Sequence, residues 1–186
     1  MLENLYGKSF VYDEAKAVGV ALRYAASRET AHPDDREDWT PENPTYGHCD
    51  LFTDYCRRIW GKNNAFHWNN EAKILVWWAY TDYNSFLAGR QKNKLTVHYS
   101  FFHPKFGEID LSRNQFPDGT YLHPRPKPLS HVIPVSRSWD RSSEIPRRRE
   151  LFEPEFASYL LNLPLPSEIT PELSHFLDEL QRTGYR

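Results

Sequence analysis

The sequence predicts an α+β fold in which a helix packs against a small antiparallel sheet. Apolar residues recur at helical spacing from Leu51 to Trp60. The chain-breaking residues Pro44 and Gly47 come before them, so a helix is expected to begin near Cys49. Three later runs are rich in β-branched and aromatic residues, which favour strands. These runs cover residues 74–80, 95–102 and 107–112.

One further helix is predicted on each side of this core along the chain. Residues 12–27 carry alanines and charges with an apolar stripe, which is typical of an amphipathic helix. Residues 170–183 open on Thr170 and a proline, a typical helix cap and first position, and continue with an apolar stripe. We therefore expect a single domain over residues 1–186, with its core at about residues 38–152 and these helices flanking it.

The remaining segments are interpreted from their polar residues and prolines. Polar residues 83–93 predict a loop, and five prolines within residues 116–134 predict an extended strap without regular structure. Residues 135–161 are expected to be helical in pieces, broken at Pro146 and Pro154. The basic triplet that follows Pro146 is interpreted as the solvated face of a helix.

Composition argues against several classes of function. The net charge of −2 provides no basic excess for binding nucleic acid. No apolar stretch approaches the roughly 20 residues of a membrane span, and no basic segment leads into an apolar run at the start, so neither a membrane partner nor a signal peptide is expected. Two cysteines are too few for a disulfide framework, which favours a soluble protein of a reducing compartment, the cytoplasm.

Cys49 is the candidate nucleophile. In the first turn of a helix, a cysteine lies among unpaired backbone N–H groups at the positive end of the macrodipole. Both features favour the thiolate over the thiol. Cys56, later in the same predicted helix, is expected to be an inert core residue.

His98 and Asp110 are expected to meet on a β-hairpin. Two strand-like runs are joined by His103-Pro104-Lys105, a natural three-residue connection. If Phe102 pairs with Phe106, paired residue numbers sum to 208, and His98 stands directly opposite Asp110 on the polar face of the sheet. The odd-numbered residues of both runs would then face the core. A carboxylate paired with an imidazole fixes its tautomer and stabilises the imidazolium.

Together, Cys49, His98 and Asp110 form a Cys–His–Asp arrangement in the chain order of papain-like thiol enzymes. In papain-like enzymes the nucleophilic cysteine lies on a helix, as is expected for Cys49. Asn43 lies six residues before Cys49, where papain-like enzymes usually carry a glutamine that binds the oxyanion; the Cys49 N–H would be the second donor. His48 is a second candidate for oxyanion or substrate binding, although the sequence equally allows it to face solvent.

Four short motifs resemble the bacterial YunG-like family, which is largely uncharacterised. They are Asn43-Pro44-x-x-Gly47-x-Cys49, His98-Tyr99, Glu108-Ile109-Asp110-Leu111-Ser112-x-x-Gln115-Phe116 and Arg147-Arg148-Arg149-Glu150-Leu151. The resemblance spans roughly residues 38–152 and implies a papain-like thiol fold, without implying a substrate. This chain departs from the family in having His48 where a glutamine usually precedes the cysteine. It also has Ser100 and Phe101 where the family tends to have an asparagine soon after His-Tyr.

The leading hypothesis is a cysteine-dependent amide, peptide or acyl hydrolase or transferase that acts on a small-molecule, peptide or protein substrate without a cofactor. The alternative is a non-catalytic binding or scaffold protein on the same fold, in which Cys49 only packs. A third reading, a zinc site built from Cys49, His98, Asp110 and either His48 or His103, has no short-range ligand pair in its favour. The sequence indicates no oligomeric state.

Overall fold

The computed structural model describes residues 9–62, 69–88, 94–125, 131–134 and 144–185. The described helices are α1 (Ser9–Ala25), α2 (Cys49–Trp60), α3 (Tyr83–Ala88), α4 (Glu144–Asn162) and α5 (Pro171–Arg182), with short 3-10 helices at Pro33–Asp38 and Arg113–Gln115. The described strands are β1 (Lys73–Tyr80), β2 (Lys94–His103), β3 (Gly107–Ile109), β4 (Tyr121–Pro124) and β5 (Val132–Pro134). The α+β prediction is confirmed, as are the helix from Cys49 to Trp60 and the two flanking helices.

The sheet is antiparallel and is built around β1, the most apolar of the predicted strands. Its strand order is β3-β2-β1-β4, and β5 also pairs with β1. β4 lies beside residues 77–80 and β5 beside residues 73–75, so these two short strands share one edge of β1. The other edge of β1 is covered by β2 along its whole length.

The helices cover one face of this sheet, where the apolar residues alternate inward. Buried side chains of the sheet include Ile74, Phe101 and Ile109, which are at most 7% exposed. They form one cluster with the apolar stripes of α1, α2, α4 and α5. α2 packs on β2, with α4 and α5 against it, and α1 packs on α4. The prediction that odd-numbered residues of the hairpin face the core is confirmed at Phe101 and Ile109.

The predicted register of the β2–β3 hairpin is wrong by two residues. Phe102 pairs with Glu108 and Phe101 with Ile109, so paired residue numbers sum to 210. The reason is Gly107, which has a φ of +82°, a conformation that glycine adopts readily and other residues do not. The turn therefore uses the three residues before Gly107, and the strand resumes at that glycine. A shift of two preserves the faces, so Asp110 stays on the side of His98 but lies diagonal to it.

Residues 83–88 form a helix rather than the predicted loop. The carboxylate of Asp82 accepts a hydrogen bond from the Ser85 N–H at 2.7 Å, which caps the first turn. Phe86 is buried, with its ring 5.3 Å from that of Tyr80. The cap from Asp82 and the buried ring of Phe86 stabilise this helix of about one and a half turns. A segment this short does not show helical periodicity in its sequence. Residues 89–93 lie outside the described residues.

The described part of the strap predicted at residues 116–134 contains two short strands, so the strap is not free of regular structure. β4 and β5 both belong to it and pair with the open edge of β1. Pro124 and Pro134 are the last residues of these strands, where a missing N–H costs little. Residues 126–130, between the two strands, lie outside the described residues.

α4 runs unbroken through both prolines that were expected to interrupt it. Pro146 is the third residue of the helix, within the first turn, where an N–H has no intrahelical partner. Pro154 lies inside the helix, but both it and Glu150, whose carbonyl loses a partner, are exposed to water. The part of the predicted helical segment at residues 135–143 lies outside the described residues.

Candidate active site

The loop that leads into α2 is fixed by Gly47. This residue has a φ of +72°, and a Cβ added to it would lie 2.9 Å from the Cβ of Asp35. Its carbonyl accepts a hydrogen bond from the His32 N–H at 2.8 Å. Glycine is therefore required by both conformation and space, and the chain can turn sharply so that α2 begins at Cys49.

Arg148 holds the same loop from α4, which contradicts the interpretation of the basic triplet as a solvated face. Arg148 is 1% exposed. Its guanidinium donates to the carbonyls of Thr30 at 2.7 Å and Gly47 at 2.9 Å. It also forms an ion pair with both carboxylate oxygens of Asp50, at 2.6 and 3.1 Å. Asp50 is the residue after Cys49, so the start of α2 is fixed on both sides of the thiol.

The thiol of Cys49 lies against the backbone that flanks His98. Its Sγ donates a hydrogen bond to the Val97 carbonyl at 3.8 Å, and the Tyr99 N–H donates to the sulfur. β3 pairs only with residues 101–103 of β2. The thiol therefore bonds to backbone groups of β2 that lie beyond the end of this pairing. The start of the helix and the histidine strand are therefore in direct contact at this point.

Burial raises the pKa of the Cys49 thiol, which is 8% exposed, well above its ordinary value. The negative charge of the neighbouring Asp50 raises the pKa further. The expectation that the helix start favours the thiolate is therefore wrong, because burial raises the pKa of this thiol. Loss of hydration outweighs the stabilisation by the helix dipole, which is worth at most about 2 kcal/mol.

His98 and Asp110 meet as expected, through a diagonal rather than a direct pairing. The Nε2–H of His98 donates to Oδ2 of Asp110 at 2.7 Å. The other carboxylate oxygen accepts from the N–H and hydroxyl of Ser112, which directs the carboxylate toward the ring. His98 is fully buried, and its ring packs edge-on against Phe116 at 5.0 Å. The imidazole is thus held in a single orientation.

Gln115 is the site residue that sequence reasoning missed. Its Nε2–H donates to Nδ1 of His98 at 3.0 Å, and the residue is 5% exposed. Gln115 lies on the 3-10 helix after β3, within one of the motifs that resemble the YunG-like family. That motif was the available signal, but a glutamine in a short polar stretch has no periodicity that would point it toward a particular ring.

Asn43 is engaged inside the fold. Its Nδ2–H donates to the Gln115 carbonyl at 3.0 Å, and its Oδ1 accepts from the Thr45 hydroxyl at 3.3 Å. The Thr45 hydroxyl also lies 3.3 Å from Oδ1 of Asn114. Asn43 therefore joins the loop before α2 to the segment that carries Gln115, and one of the two N–H groups of its amide is used in this contact.

His48 is the N-cap residue of α2 and is fully buried. Its Nδ1–H donates to the Tyr46 carbonyl at 2.9 Å, and its Nε2 lies 3.0 Å from the Thr30 hydroxyl. Its ring also packs against Phe52 and Phe152, at 5.7 and 6.3 Å. Both ring nitrogens are engaged within the fold, so neither is placed to contact a substrate.

Burial lowers the pKa of His48 to about 4. The unfolded chain takes up this proton below the ordinary pKa of about 6.5, but the folded chain does so only near pH 4. Stability from this group is therefore complete above pH 6.5 and is lost as the pH falls toward 4. We expect the wild type to lose about 2 kcal/mol more between pH 7 and pH 5 than His48→Gln, whose side chain does not titrate. Urea denaturation at both pH values measures the difference. Equal losses of stability in the two proteins would contradict the lowered pKa of the buried His48.

The structure brings two of the three predicted groups into hydrogen-bond contact. His98 and Asp110 are paired, but the nitrogens of His98 face Asp110 and Gln115, and the Cys49 sulfur faces the backbone of Val97 and Tyr99. The Cys–His contact of an active thiol enzyme is thus not made in this form. Forming it requires the amide of Gln115 to leave Nδ1.

A cavity of about 1090 Å³ opens beside the carboxylate end of this arrangement. It lies between α1 and the segment after β3, and its lining includes Trp77, Asp110 and Phe116. The lining reaches the carboxylate but includes neither Cys49 nor His98. Within the described ranges, no group of three or more His, Cys, Asp or Glu residues is placed to hold a metal ion, so the zinc reading finds no ligand set there.

In the described part of the chain, none of the helices combines the length and apolar character needed to cross a membrane. No family model matches the sequence, and no curated protein or solved structure matches it either.

Proposed function

We propose that this protein is a thiol-dependent amide, peptide or acyl hydrolase or transferase on a papain-like fold, and that a rearrangement of the site brings Cys49 and His98 into contact. The observation that supports the proposal best is the position of Cys49. Its sulfur lies at the start of a helix and contacts the backbone on both sides of His98, a histidine paired with Asp110. The proposal includes the resemblance to the YunG-like family and a reducing compartment, the cytoplasm, which keeps Cys49 a free thiol.

In the proposed reaction, Nδ1 of His98 accepts the thiol proton and the Cys49 sulfur attacks the carbonyl carbon of the substrate. Asp110 keeps the Nε2–H in place and stabilises the imidazolium that forms. The imidazolium then returns its proton to the leaving amine or alcohol, which leaves an acyl-thioester on Cys49. Water or an acceptor nucleophile resolves the thioester, which gives hydrolysis or transfer.

The backbone N–H of Cys49 is the proposed first donor to the oxyanion, because the first N–H of a helix has no intrahelical partner. Asn43, the donor expected from the sequence, gives one amide N–H to the Gln115 carbonyl, so its second N–H is the one that would serve the oxyanion. No step of this chemistry calls for a cofactor. The substrate is a small molecule, peptide or protein with an amide or acyl group, and the proposal involves neither nucleic acid nor a membrane.

An acyl adduct provides the test. The protein is mixed with p-nitrophenyl acetate, and peptide mass spectrometry locates the acetyl group. We expect acetylation at Cys49 in the wild type and in Cys56→Ala, followed by loss of the adduct as the thioester is resolved. Cys56 is the matched control, since it is also a buried thiol of α2. Acetylation on lysines alone, at the same level in Cys49→Ala, would contradict the proposal.

The second candidate is a non-catalytic binding or scaffold protein on the same fold. The occupied nitrogens of His98 and the raised pKa of Cys49 favour it. In this case, Cys49 is a packing residue, and neither acetylation at Cys49 nor release of an acyl group is expected. The same mass spectra therefore distinguish the two candidates.

A further inference from the structure

Gln115 occupies the one nitrogen that the proposed reaction requires. His98 has two ring nitrogens; Nε2 is bound to Asp110 and Nδ1 to Gln115, and the ring is fully buried. A proton can move from the Cys49 thiol to this ring only through Nδ1, because Asp110 is bound to the other nitrogen. The hydrogen bond from Gln115 to Nδ1 therefore occupies the position that the thiol of Cys49 would need in order to bind His98.

The partners of His98 also determine its tautomer. A carboxylate only accepts hydrogen bonds, so the nitrogen that faces Asp110 carries the proton. The amide of Gln115 donates to Nδ1, which therefore holds a lone pair. These two contacts select the tautomer with the proton on Nε2, which is the one that a general base needs when it takes a proton at Nδ1. The acceptor site for the thiol proton is thus already formed, but it is covered by the amide.

Gln115 is itself fixed to the loop that carries the thiol. Its N–H donates to the Ser112 carbonyl at 3.0 Å, and its carbonyl accepts from Asn43 at 3.0 Å. A displacement of the loop before α2, such as binding of a substrate beside Cys49 would cause, therefore acts on the segment that places the amide against His98.

We propose that Gln115 is a positioning residue, which holds His98 in the Nε2–H tautomer and blocks Nδ1 until the loop before α2 moves. The inference rests on the proposed thiol function. Release of the amide leaves the lone pair of Nδ1 free to accept the thiol proton, which gives a thiolate and an imidazolium paired with Asp110. Gln115 thus keeps the protein inactive in the absence of substrate without disturbing the histidine–carboxylate pair.

The first experiment measures the tautomer and does not depend on catalysis. Two-dimensional ¹⁵N NMR of the imidazoles is recorded for the wild type, Gln115→Met and Gln115→Glu. In the wild type, we expect His98 to show a protonated Nε2 and an Nδ1 that accepts a hydrogen bond. The Nδ1 resonance should move in Gln115→Met, which keeps the length of the side chain but cannot donate. In Gln115→Glu, an acceptor faces Nδ1 and both nitrogens should be protonated. A proton on Nδ1 in the wild type, or an unchanged spectrum in Gln115→Met, overturns the proposal.

The second experiment measures the access of Nδ1 to the thiol. In a Cys56→Ala background, which leaves Cys49 as the one thiol, the rate of alkylation by iodoacetamide is measured at pH 7. We expect Gln115→Met to react roughly tenfold faster than its parent. This factor corresponds to the free energy of the one hydrogen bond that no longer has to be broken at Nδ1. The gain should vanish when His98→Ala is added. A gain that persists without His98, or no gain, overturns the proposal.

Asn114→Ala is the matched control for general loosening of the loop. It removes the contact with Thr45 on the same segment but leaves Gln115 and His98 in place. We expect its alkylation rate to equal that of the parent, and a rise as large as that of Gln115→Met would overturn the proposal. The proposed function fails separately, through the absence of an acetyl adduct on Cys49, and the NMR result on Gln115 would stand in that case.

Discussion

Arg148→Ala is expected to lower the free energy of unfolding by about 3–5 kcal/mol, the usual cost of removing one partner from a buried ion pair. The substitution leaves the carboxylate of Asp50 without its cation in a site where the residue is 8% exposed. It also removes the donors to the carbonyls of Thr30 and Gly47. The Thr30 carbonyl would keep its desolvation penalty without the hydrogen bond from Arg148 that offsets it. The Gly47 carbonyl would still accept from the His32 N–H and Asp50 from the Leu51 N–H, so the unpaired charge of Asp50 accounts for most of the expected loss.

Urea denaturation measures this effect, and Arg147→Ala is the matched control on the same turn of α4. Arg147 is exposed, so its loss should change stability by no more than about 0.5 kcal/mol. If Arg148→Ala does not fold, Arg148→Lys keeps the charge but loses the bidentate geometry, and we expect an intermediate loss. Equal stabilities of Arg147→Ala and Arg148→Ala would contradict the role assigned to the buried guanidinium.

The second large effect is kinetic. His98→Ala is expected to slow acetylation of Cys49 by p-nitrophenyl acetate by about 10²–10⁴-fold, the usual contribution of a general base. Asp110→Asn should also slow it, because an amide can donate to Nε2 and so favour the wrong tautomer. The release of p-nitrophenolate and the mass of the adduct report the rate. Removal of a general base and removal of its orienting carboxylate thus give the same direction of change.

His103 provides the control for these variants, since it is a second buried histidine of β2. Its Nε2 lies 3.3 Å from the Asn69 amide, and its ring stacks on Phe106 at 4.2 Å, away from Cys49 and Asp110. We expect His103→Gln to acetylate at close to the wild-type rate. If His98→Ala acetylates as fast as His103→Gln does, His98 is not the base.

Local patterns made the fold predictable. The apolar stripe from Leu51 to Trp60 and the break at Gly47 determine where α2 begins, and both lie within a short window of sequence. The register of the hairpin was missed because it depends on the φ of Gly107, which the strand pattern around it does not reveal. The observed register differs from the predicted one by two residues, and an even shift keeps each side chain on the same face of the sheet. His98 and Asp110 are therefore still hydrogen-bonded.

The parts of the site that could not be predicted depend on contacts between distant segments. Arg148 reaches Asp50 across 98 residues of chain, and Asn43 reaches Gln115 across 72. Burial of the Cys49 sulfur against β2 has the same origin, and it reverses the pKa shift that the helix start alone predicts. Sequence periodicity describes one element at a time, so it indicates which residues face inward but not which charged or amide groups they meet there.

The central claim is that Cys49, His98 and Asp110 act together once Gln115 releases Nδ1. The most direct test is a crystal structure of the protein alkylated at Cys49 by iodoacetamide. We expect the sulfur of Cys49 to lie within roughly 4 Å of Nδ1 of His98, with the Gln115 amide displaced and the pair with Asp110 retained. A ring that still binds Gln115 through Nδ1, with the modified sulfur pointing away from it, would contradict the account.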